Sequence, residues 1–284
     1  MINVKGLSFN YPGAAGPAIS ELEFDVRDGE IFGFLGPSGA GKSTTQNVLI
    51  GLLRGWRGHA EVLGRSVDRW GSDLYRTVGV SFEAPNHYLK LTARENLEYF
   101  RRLYGGDAES TDSVLDWVDL GDHADKRVSA FSKGMKNRLN LARSLLHRPR
   151  LWFLDEPTAG LDPVNAKRVR ELVSRRRDEG VTTFITTHDM QTVEALCDRV
   201  AFLVDGRIAI LDAPDALRRR YGRREVELTF NTDGGPTKQS FPLDGLAQNA
   251  AFLAALARPG LETVHSLEAS LEDVFVAVTG RGLT

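Results

Sequence analysis

Between Ile2 and Leu35 apolar and polar positions alternate, as in Glu21-Leu22-Glu23-Phe24-Asp25-Val26, and the stretch ends in the unbroken apolar run Ile31 to Leu35. Period-two alternation marks strands with one solvated face, so this region predicts strands ending at a glycine-rich loop. Thr44 to Leu53 then reads as a helix that closes near Gly55. Thr92 opens a second helix, with Glu95 in the capping-box position and Leu97, Phe100 and Leu103 on one side. A third begins at Ser132-Lys133-Gly134-Met135, carries Met135, Leu139, Ala142 and Leu146 at helical intervals and stops at Pro149. Leu151-Trp152-Phe153-Leu154 shows no polar alternation, and Thr182 to Thr187 is rich in β-branched residues. Both suit central strands covered by helices on each face, which predicts an α/β core with a mainly parallel sheet. Val200 to Leu211 reads as a hairpin turning at Asp205-Gly206.

The composition then shifts. The run Arg218-Arg219-Arg220-Tyr221-Gly222-Arg223-Arg224 precedes alternation from Glu225 to Phe230 and a turn signal at Gly234-Gly235-Pro236. This divides the chain into a core over residues 1–217, a basic linker over 218–224 and a small α+β domain over 225–284. The arginine run suits a solvated helix end and linker better than a surface for acidic lipid headgroups.

With 284 residues the chain is long enough for a sizeable core, and a formal net charge of -2 gives no bulk attraction to nucleic acid. No nucleic-acid partner is expected. The single cysteine, Cys197, cannot form an internal disulfide, which fits a reducing cytoplasm. Met1-Ile2-Asn3-Val4-Lys5 lead into strand-like residues rather than a signal segment, so the mature chain is expected to start at Met1. Apolar runs such as Ala250 to Ala257 fall far short of the roughly 20 residues that span a bilayer.

Gly36-Pro37-Ser38-Gly39-Ala40-Gly41-Lys42-Ser43-Thr44 fits the P-loop pattern in full, after an apolar strand and at the opening of a helix. The glycines let backbone N–H groups turn around phosphates at the positive end of that helix. Lys42 is expected to reach the β- and γ-phosphates of ATP, and Ser43 to ligate Mg2+ through its hydroxyl. Asp155 and Glu156 follow an apolar strand, at the edge where a parallel sheet binds ligands. Asp155 suits the magnesium shell and Glu156 the orientation of an attacking water. His188, after Thr186-Thr187, would emerge at the same edge and could meet the γ-phosphate. Ser132 is an N-cap by itself, and its helix N-terminus with Lys133 is also a possible anion site.

In this order the motifs resemble the nucleotide-binding subunits of ABC transporters, over Val4 to about Leu217. The resemblance implies a P-loop ABC-type ATPase core with antiparallel β and α-helical subdomains, the latter over about 84–148. Tyr11 sits where that family stacks an aromatic on adenine, although it also reads as a strand-surface tyrosine. Phe131-Ser132-Lys133-Gly134-Met135 occupies the place of the family signature, and Ala159-Gly160-Leu161-Asp162 resembles its D-loop. Carried over, Ser38 to Thr44 hold phosphates, Asp155 serves magnesium, Glu156 is the base, His188 senses the γ-phosphate and Asp162 links two sites. The family forms head-to-tail dimers, which would give Ser132 and Gly134 a role in trans, in a homodimer or with a related cassette.

Two departures from the family stand out, one in the signature and one further upstream. Lys133 and Met135 replace the usual glycine and glutamine of the signature, and Glu83 stands where glutamine is usual. A carboxylate there can still meet magnesium or water, but it adds negative charge near phosphate. Ser270 to Arg281 resembles the C-terminal ending of antibiotic and multidrug exporter subunits. Physically it is a Ser270/Asp273 capping pattern with Val274, Phe275 and Val278 as an apolar stripe, for packing on its own domain or on a dimer partner. The resemblance implies an ATP-hydrolysing motor on a separate membrane permease, peripheral at the inner face of the cell membrane. It would export drugs, antibiotics or lipid-like molecules. The rival reading is a soluble ABC ATPase acting on ribosomes or nucleic acid.

Overall fold

The computed structural model describes residues 1–105, 108–221, 225–232, 235–267 and 269–282. They fall into two compact units, Met1–Ala213 and Pro214–Gly282.

In the first unit an antiparallel sheet runs Ile19–Val26, Ile2–Phe9, Arg57–Val62, Arg65–Ser66 in spatial order. Alternation works as expected: Ile19, Leu22, Phe24 and Val26 are buried while Glu21, Glu23 and Asp25 are exposed. A six-stranded sheet runs Arg207–Asp212, Arg199–Val204, Ile31–Leu35, Thr182–Thr187, Leu151–Asp155, Val78–Ser81, and all but the first strand are parallel. Ile31–Leu35 and Thr182–Thr187 are buried at every position, as strands covered on both faces must be. Phe24, Phe32, Phe34 and Phe184 join the two sheets, with ring centroids 5.0 to 6.2 Å apart. The hairpin forms as read: Val204 faces Arg207, and Asp205 and Gly206 take φ of 48° and 75°.

Two helices differ from expectation. The first spans Lys42–Leu49 and closes at Gly51, not near Gly55, because Gly51 turns left-handed at φ 76°. The second, Ala93–Tyr104, has the full Thr92/Glu95 capping box, yet Leu97 is buried and Leu103 is 63% exposed. Steps of three residues drift by about 60° each around a helix, which carries Leu103 off the packed side. Ala93–Tyr104, Thr111–Trp117 and Lys133–Leu145 pack together as a helical region.

The second unit holds a three-stranded antiparallel sheet in the order Gly235–Pro242, Glu225–Thr232, Leu261–Leu267. Val226, Leu228 and Phe230 are buried with Phe252 and Ala255 of the helix Ala250–Leu256. Arg218 to Tyr221, read as a solvated helix end and linker, form the end of a helix: Pro214–Tyr221 buries Leu217, and Arg218 Nε donates to the Ala269 carbonyl at 3.0 Å. Gly222 to Arg224 lie outside the described residues. So does Gly234 of the expected turn, while Gly235 and Pro236 already begin a strand. The Ser270/Asp273 capping box forms, and the helix Leu271–Thr279 packs against Pro214–Tyr221 with Leu271, Val274 and Phe275 buried.

Candidate nucleotide site

Three parallel strands, Ile31–Leu35, Leu151–Asp155 and Thr182–Thr187, end side by side, and each delivers part of one site at its carboxyl end. The P-loop leaves the first strand with close backbone packing. A Cβ at Gly36 would lie 2.2 Å from the Leu203 carbonyl oxygen, and one at Gly41, which has φ 104°, would lie 2.7 Å from the Ala18 carbonyl oxygen. Only glycine fits either place. Pro37, Ser38, Gly39 and Ala40 form the turn between them, with Gly39 at φ 80°.

Lys42 Nζ donates to the loop's own carbonyls, Gly36 O at 2.7 Å and Pro37 O at 3.1 Å, and stands 4.0 Å from Glu156 Oε1. Burial pulls its pKa below the usual lysine value, against the opposing charges of Glu156, Asp155 and Glu83. Ser43 Oγ lies 3.4 Å from each Asp155 carboxylate oxygen. Thr186 Oγ1 also donates to Asp155. Burial raises the Asp155 pKa, and the charge of Glu83 adds to the rise.

Glu156 has a left-handed backbone, φ 48°, a conformation of roughly 1–2 kcal/mol cost for a residue with a Cβ. Hydrogen bonds from Glu156 N to Thr186 O, 2.8 Å, and from Ala159 N to Glu156 O, 3.1 Å, hold the turn. It aims the carboxylate back over the neighbouring strand. There Oε2 accepts from Thr187 Oγ1 at 3.0 Å, and Oε1 meets His188 Nδ1 at 2.9 Å. The His188 imidazole is 58% exposed, whereas the Glu156 side chain is only 10% exposed. Thr187 Oγ1 also accepts from Asp189 N at 2.9 Å, and Asp189 is bonded by both Thr158 and Thr192.

Tyr11 is 40% exposed, shares a 3.3 Å hydrogen bond with Thr44 Oγ1 and sets its ring edge-on to Phe9. Glu83 is exposed on the segment after Val78–Ser81 and acts on Lys42 and Asp155 through its charge. Among the described residues no group of three or more His, Cys, Asp or Glu could hold a metal. Ser43 and Asp155 are hard oxygen donors, and two such donors suit Mg2+, which keeps several waters and takes phosphate oxygens.

Ser132, Gly134 and Asp162 stand apart from this group. Ser132 caps Lys133–Leu145 by accepting from Met135 N at 3.2 Å, and a Cβ on Gly134 would lie 3.3 Å from Leu161 Cδ2. Lys133 packs over Gly160. Asp162 caps Pro163–Asp178, accepting from Val164 N and Asn165 N at 3.1 and 3.0 Å, and these backbone bonds lower its pKa. The signature and D-loop segments are therefore neighbours on one surface. Sequence reading passed over Thr186, Thr187 and the Thr158–Asp189–Thr192 group, because threonine in a β-rich run reads first as strand.

An ABC transporter family model matches residues 19–159, and a model described as the fluoroquinolone efflux ABC transporter C-terminal domain matches residues 224–268. A fluoroquinolones export ATP-binding protein of Mycobacterium tuberculosis is 53% identical over 285 residues, covering 100% of this chain and 95% of that protein. The bacitracin transport ATP-binding protein of Bacillus licheniformis is 34% identical, covering 93% of each. A solved ATP-binding subunit of an ABC transporter is 29% identical with TM-score 0.69, over 78% of this chain and 93% of that one. With its P-loop, its acid pair and its histidine gathered at one sheet edge, the chain belongs to the ABC transporter ATP-binding subunits, the ATP-hydrolysing cassettes of the drug-export branch.

Proposed function

We propose that this chain hydrolyses Mg-ATP to drive a separate membrane permease that exports a drug-like or antibiotic-like compound, with fluoroquinolone-like aromatic molecules the first class to test. The observation that carries the ATPase part is Glu156, strained into position and held between Thr187 and His188 beside the P-loop lysine. The export class rests on relatives named for fluoroquinolone and bacitracin transport.

In this reading the loop amides and Lys42 bind the β- and γ-phosphates, and Lys42 exchanges its bonds to Gly36 and Pro37 for phosphate oxygens. Ser43 and Asp155 hold Mg2+, which neutralises phosphate charge and, when bound, relieves the buried Asp155 carboxylate. Glu156 accepts a hydrogen bond from the attacking water and polarises it. His188 Nε2 faces outward to the γ-phosphate while Nδ1 stays on Glu156. Tyr11 offers a ring to adenine, and Glu83, whose charge is felt at Lys42 and Asp155, takes up metal-bound water. Ser132 and Gly134 bind the γ-phosphate held by a second cassette, in a homodimer or with a related chain, and Asp162 connects the two sites. The helical region after Glu83 receives a cytoplasmic segment of the permease, which holds this chain at the inner face of the membrane. No described helix is long and apolar enough to cross a membrane.

The test is capture of the tagged chain from its native cells in mild detergent, then reconstitution of what is recovered into inverted vesicles. A polytopic membrane protein that accumulates a fluoroquinolone with ATP, and fails to with Glu156→Gln, supports the proposal. Recovery of ribosomal or DNA-bound partners with no membrane protein overturns the export reading and leaves the ATPase.

A further inference from the structure

Asp189 opens the short helix Met190–Leu196, and its Oδ1 accepts from Gln191 N at 3.0 Å as an N-cap should. Capping uses one oxygen. The other, Oδ2, accepts from two hydroxyls that the cap does not need: Thr192 Oγ1 at 2.6 Å, on the helix being capped, and Thr158 Oγ1 at 3.1 Å, 31 residues back in the chain. The two hydroxyls also lie 3.1 Å from each other, which closes a triangle with the carboxylate. Both threonines are buried, so these bonds are made out of water, where losing one leaves a polar group unpaired.

Thr158 belongs to the turn that carries Glu156. Its carbonyl accepts from Leu161 N at 3.2 Å, and the next residue, Ala159, donates its N–H to Glu156 O at 3.1 Å. Asp189 reaches Glu156 by a second route as well, since its N–H donates to Thr187 Oγ1 at 2.9 Å and that hydroxyl donates to Glu156 Oε2 at 3.0 Å. The two routes differ in where they end. The one through Thr187 ends on the Glu156 carboxylate, the group that must change partners when it takes up the attacking water. The one through Thr158 ends on the backbone just past Glu156 and does not use that carboxylate. His188 lies between Thr187 and Asp189 with an exposed ring, so its place is set by the backbone on either side rather than by packing.

We propose that Asp189 and Thr158 are positioning residues for hydrolysis: their carboxylate–hydroxyl bond fixes the spacing between the turn that carries Glu156 and the turn that carries His188 while Glu156 exchanges its own bonds for water. This rests on the roles given above to Glu156 and His188. Neither Asp189 nor Thr158 needs to touch nucleotide for it. Without the second route, the bonds that hold the two turns in register are the same bonds that loosen when water arrives. A displacement of about 1 Å in an oriented group costs up to about 10²-fold in rate, so a bond that stays made through the cycle is worth keeping. Its acceptor is a carboxylate, which makes it stronger than a bond between neutral groups. Thr192 steadies Oδ2 from within the helix that Asp189 caps, so it sets the direction of the carboxylate rather than the spacing of the turns.

The test is a kinetic cycle on the full chain. Thr158→Val keeps the shape of the side chain and deletes its hydroxyl, and Asp189→Ser keeps a good N-cap and deletes the second oxygen. Each should lower kcat for ATP about tenfold with KM within about twofold. Because both remove one and the same bond, the double variant should be no slower than either alone. Thr158→Ser, which returns the hydroxyl, should bring kcat back to within about twofold of the wild type. Three outcomes overturn the proposal: melting temperatures that fall while kcat stays at the wild-type level, losses that multiply in the double variant, and equal losses in Thr158→Ser and Thr158→Val, which would make the methyl group the feature that matters. If Thr158→Val does not fold, Asp189→Ser decides alone, and wild-type kcat in it overturns the proposal. Glu156→Gln measured alongside separates the two layers. Wild-type turnover in Glu156→Gln overturns the role of Glu156 and this proposal with it, whereas turnover lost there but kept in both Asp189→Ser and Thr158→Val overturns the positioning alone.

Discussion

The Glu156 carboxylate bridges two strands: it leaves the end of Leu151–Asp155 and closes on His188 Nδ1, 2.9 Å away, beyond the end of Thr182–Thr187. One oxygen is spent on His188 and the other on Thr187, so the orientation of the acid is set before nucleotide arrives. Pre-set orientation is what a water-positioning group needs, since a rotamer fixed in advance costs nothing at the moment of reaction. It also couples the exposed histidine to the buried acid.

Glu156→Gln keeps shape and hydrogen-bond reach but removes the charge that polarises water. Phosphate release should fall by roughly 10²-fold or more, while ATP affinity stays within about twofold. Steady-state turnover and nucleotide binding measured side by side check this, and wild-type turnover would remove Glu156 from the role of base.

Thr187→Val is nearly isosteric and suits a strand, so the fully buried position should fold around it. The variant deletes the donor to Glu156 Oε2 and strands Asp189 N, which now donates to Thr187 Oγ1. Stability should drop by about 1 kcal/mol, toward the low end of the cost of an unpaired donor because Asp189 N is only part-buried. Turnover should fall about tenfold with KM for ATP unchanged, because the acid is loosened rather than lost. A change confined to melting temperature would mean that His188 alone orients Glu156.

How much of this was legible beforehand depends on whether the signal is local. The P-loop, the Asp155–Glu156 pair and the Asp205-Gly206 turn are contiguous, and each stood out as a pattern with its mechanism attached. Thr187 carries the same letters as its strand neighbours, and nothing along the chain says that its hydroxyl meets a carboxylate 31 residues away. The positive φ of Glu156 is similarly silent, since left-handed backbone is read from glycine and asparagine rather than from glutamate. Leu103 erred in the other direction, because three apolar letters in steps of three suggest one face more strongly than 3.6 residues per turn allows.

Asp155→Asn separates function from stability. Burial raises this acid's pKa above its ordinary 3.8, so its ionised form destabilises the nucleotide-free fold. A carboxylic acid shifted upward by folding imposes no cost below the unfolded-state value and its full cost above the folded-state value. The Asn variant, which can still accept from Thr186, should therefore melt slightly higher than wild type at about pH 7.5. The difference should shrink as the pH falls toward about 4. Mg-ATP should raise the melting temperature of the wild type much more than that of the variant, whose turnover should be lost. Scanning calorimetry with and without Mg-ATP measures both, and an unstabilised variant at neutral pH would contradict the burial argument.

Ser132 has a structural duty that must be kept apart from its proposed duty across a dimer. Its Oγ caps Lys133–Leu145 through Met135 N, and losing such a cap costs about 1 kcal/mol, enough to blur any variant that deletes the hydroxyl. Ser132→Asp avoids the confusion, because aspartate is as good an N-cap and its charge favours the positive end of the helix. The lone chain should fold, bind ATP and melt within about 2 °C of wild type. Brought against the γ-phosphate of a second cassette, the same charge is repelled at close range, where a pair 4 Å apart interacts by about 4 kcal/mol at an effective dielectric of 20. ATP-dependent dimers of Glu156→Gln, followed by light scattering, should therefore disappear when Ser132→Asp is added. Dimers that persist at wild-type levels would show that this helix end does not meet nucleotide in trans, and the Lys133 side chain packed over Gly160 would then be the feature left to explain.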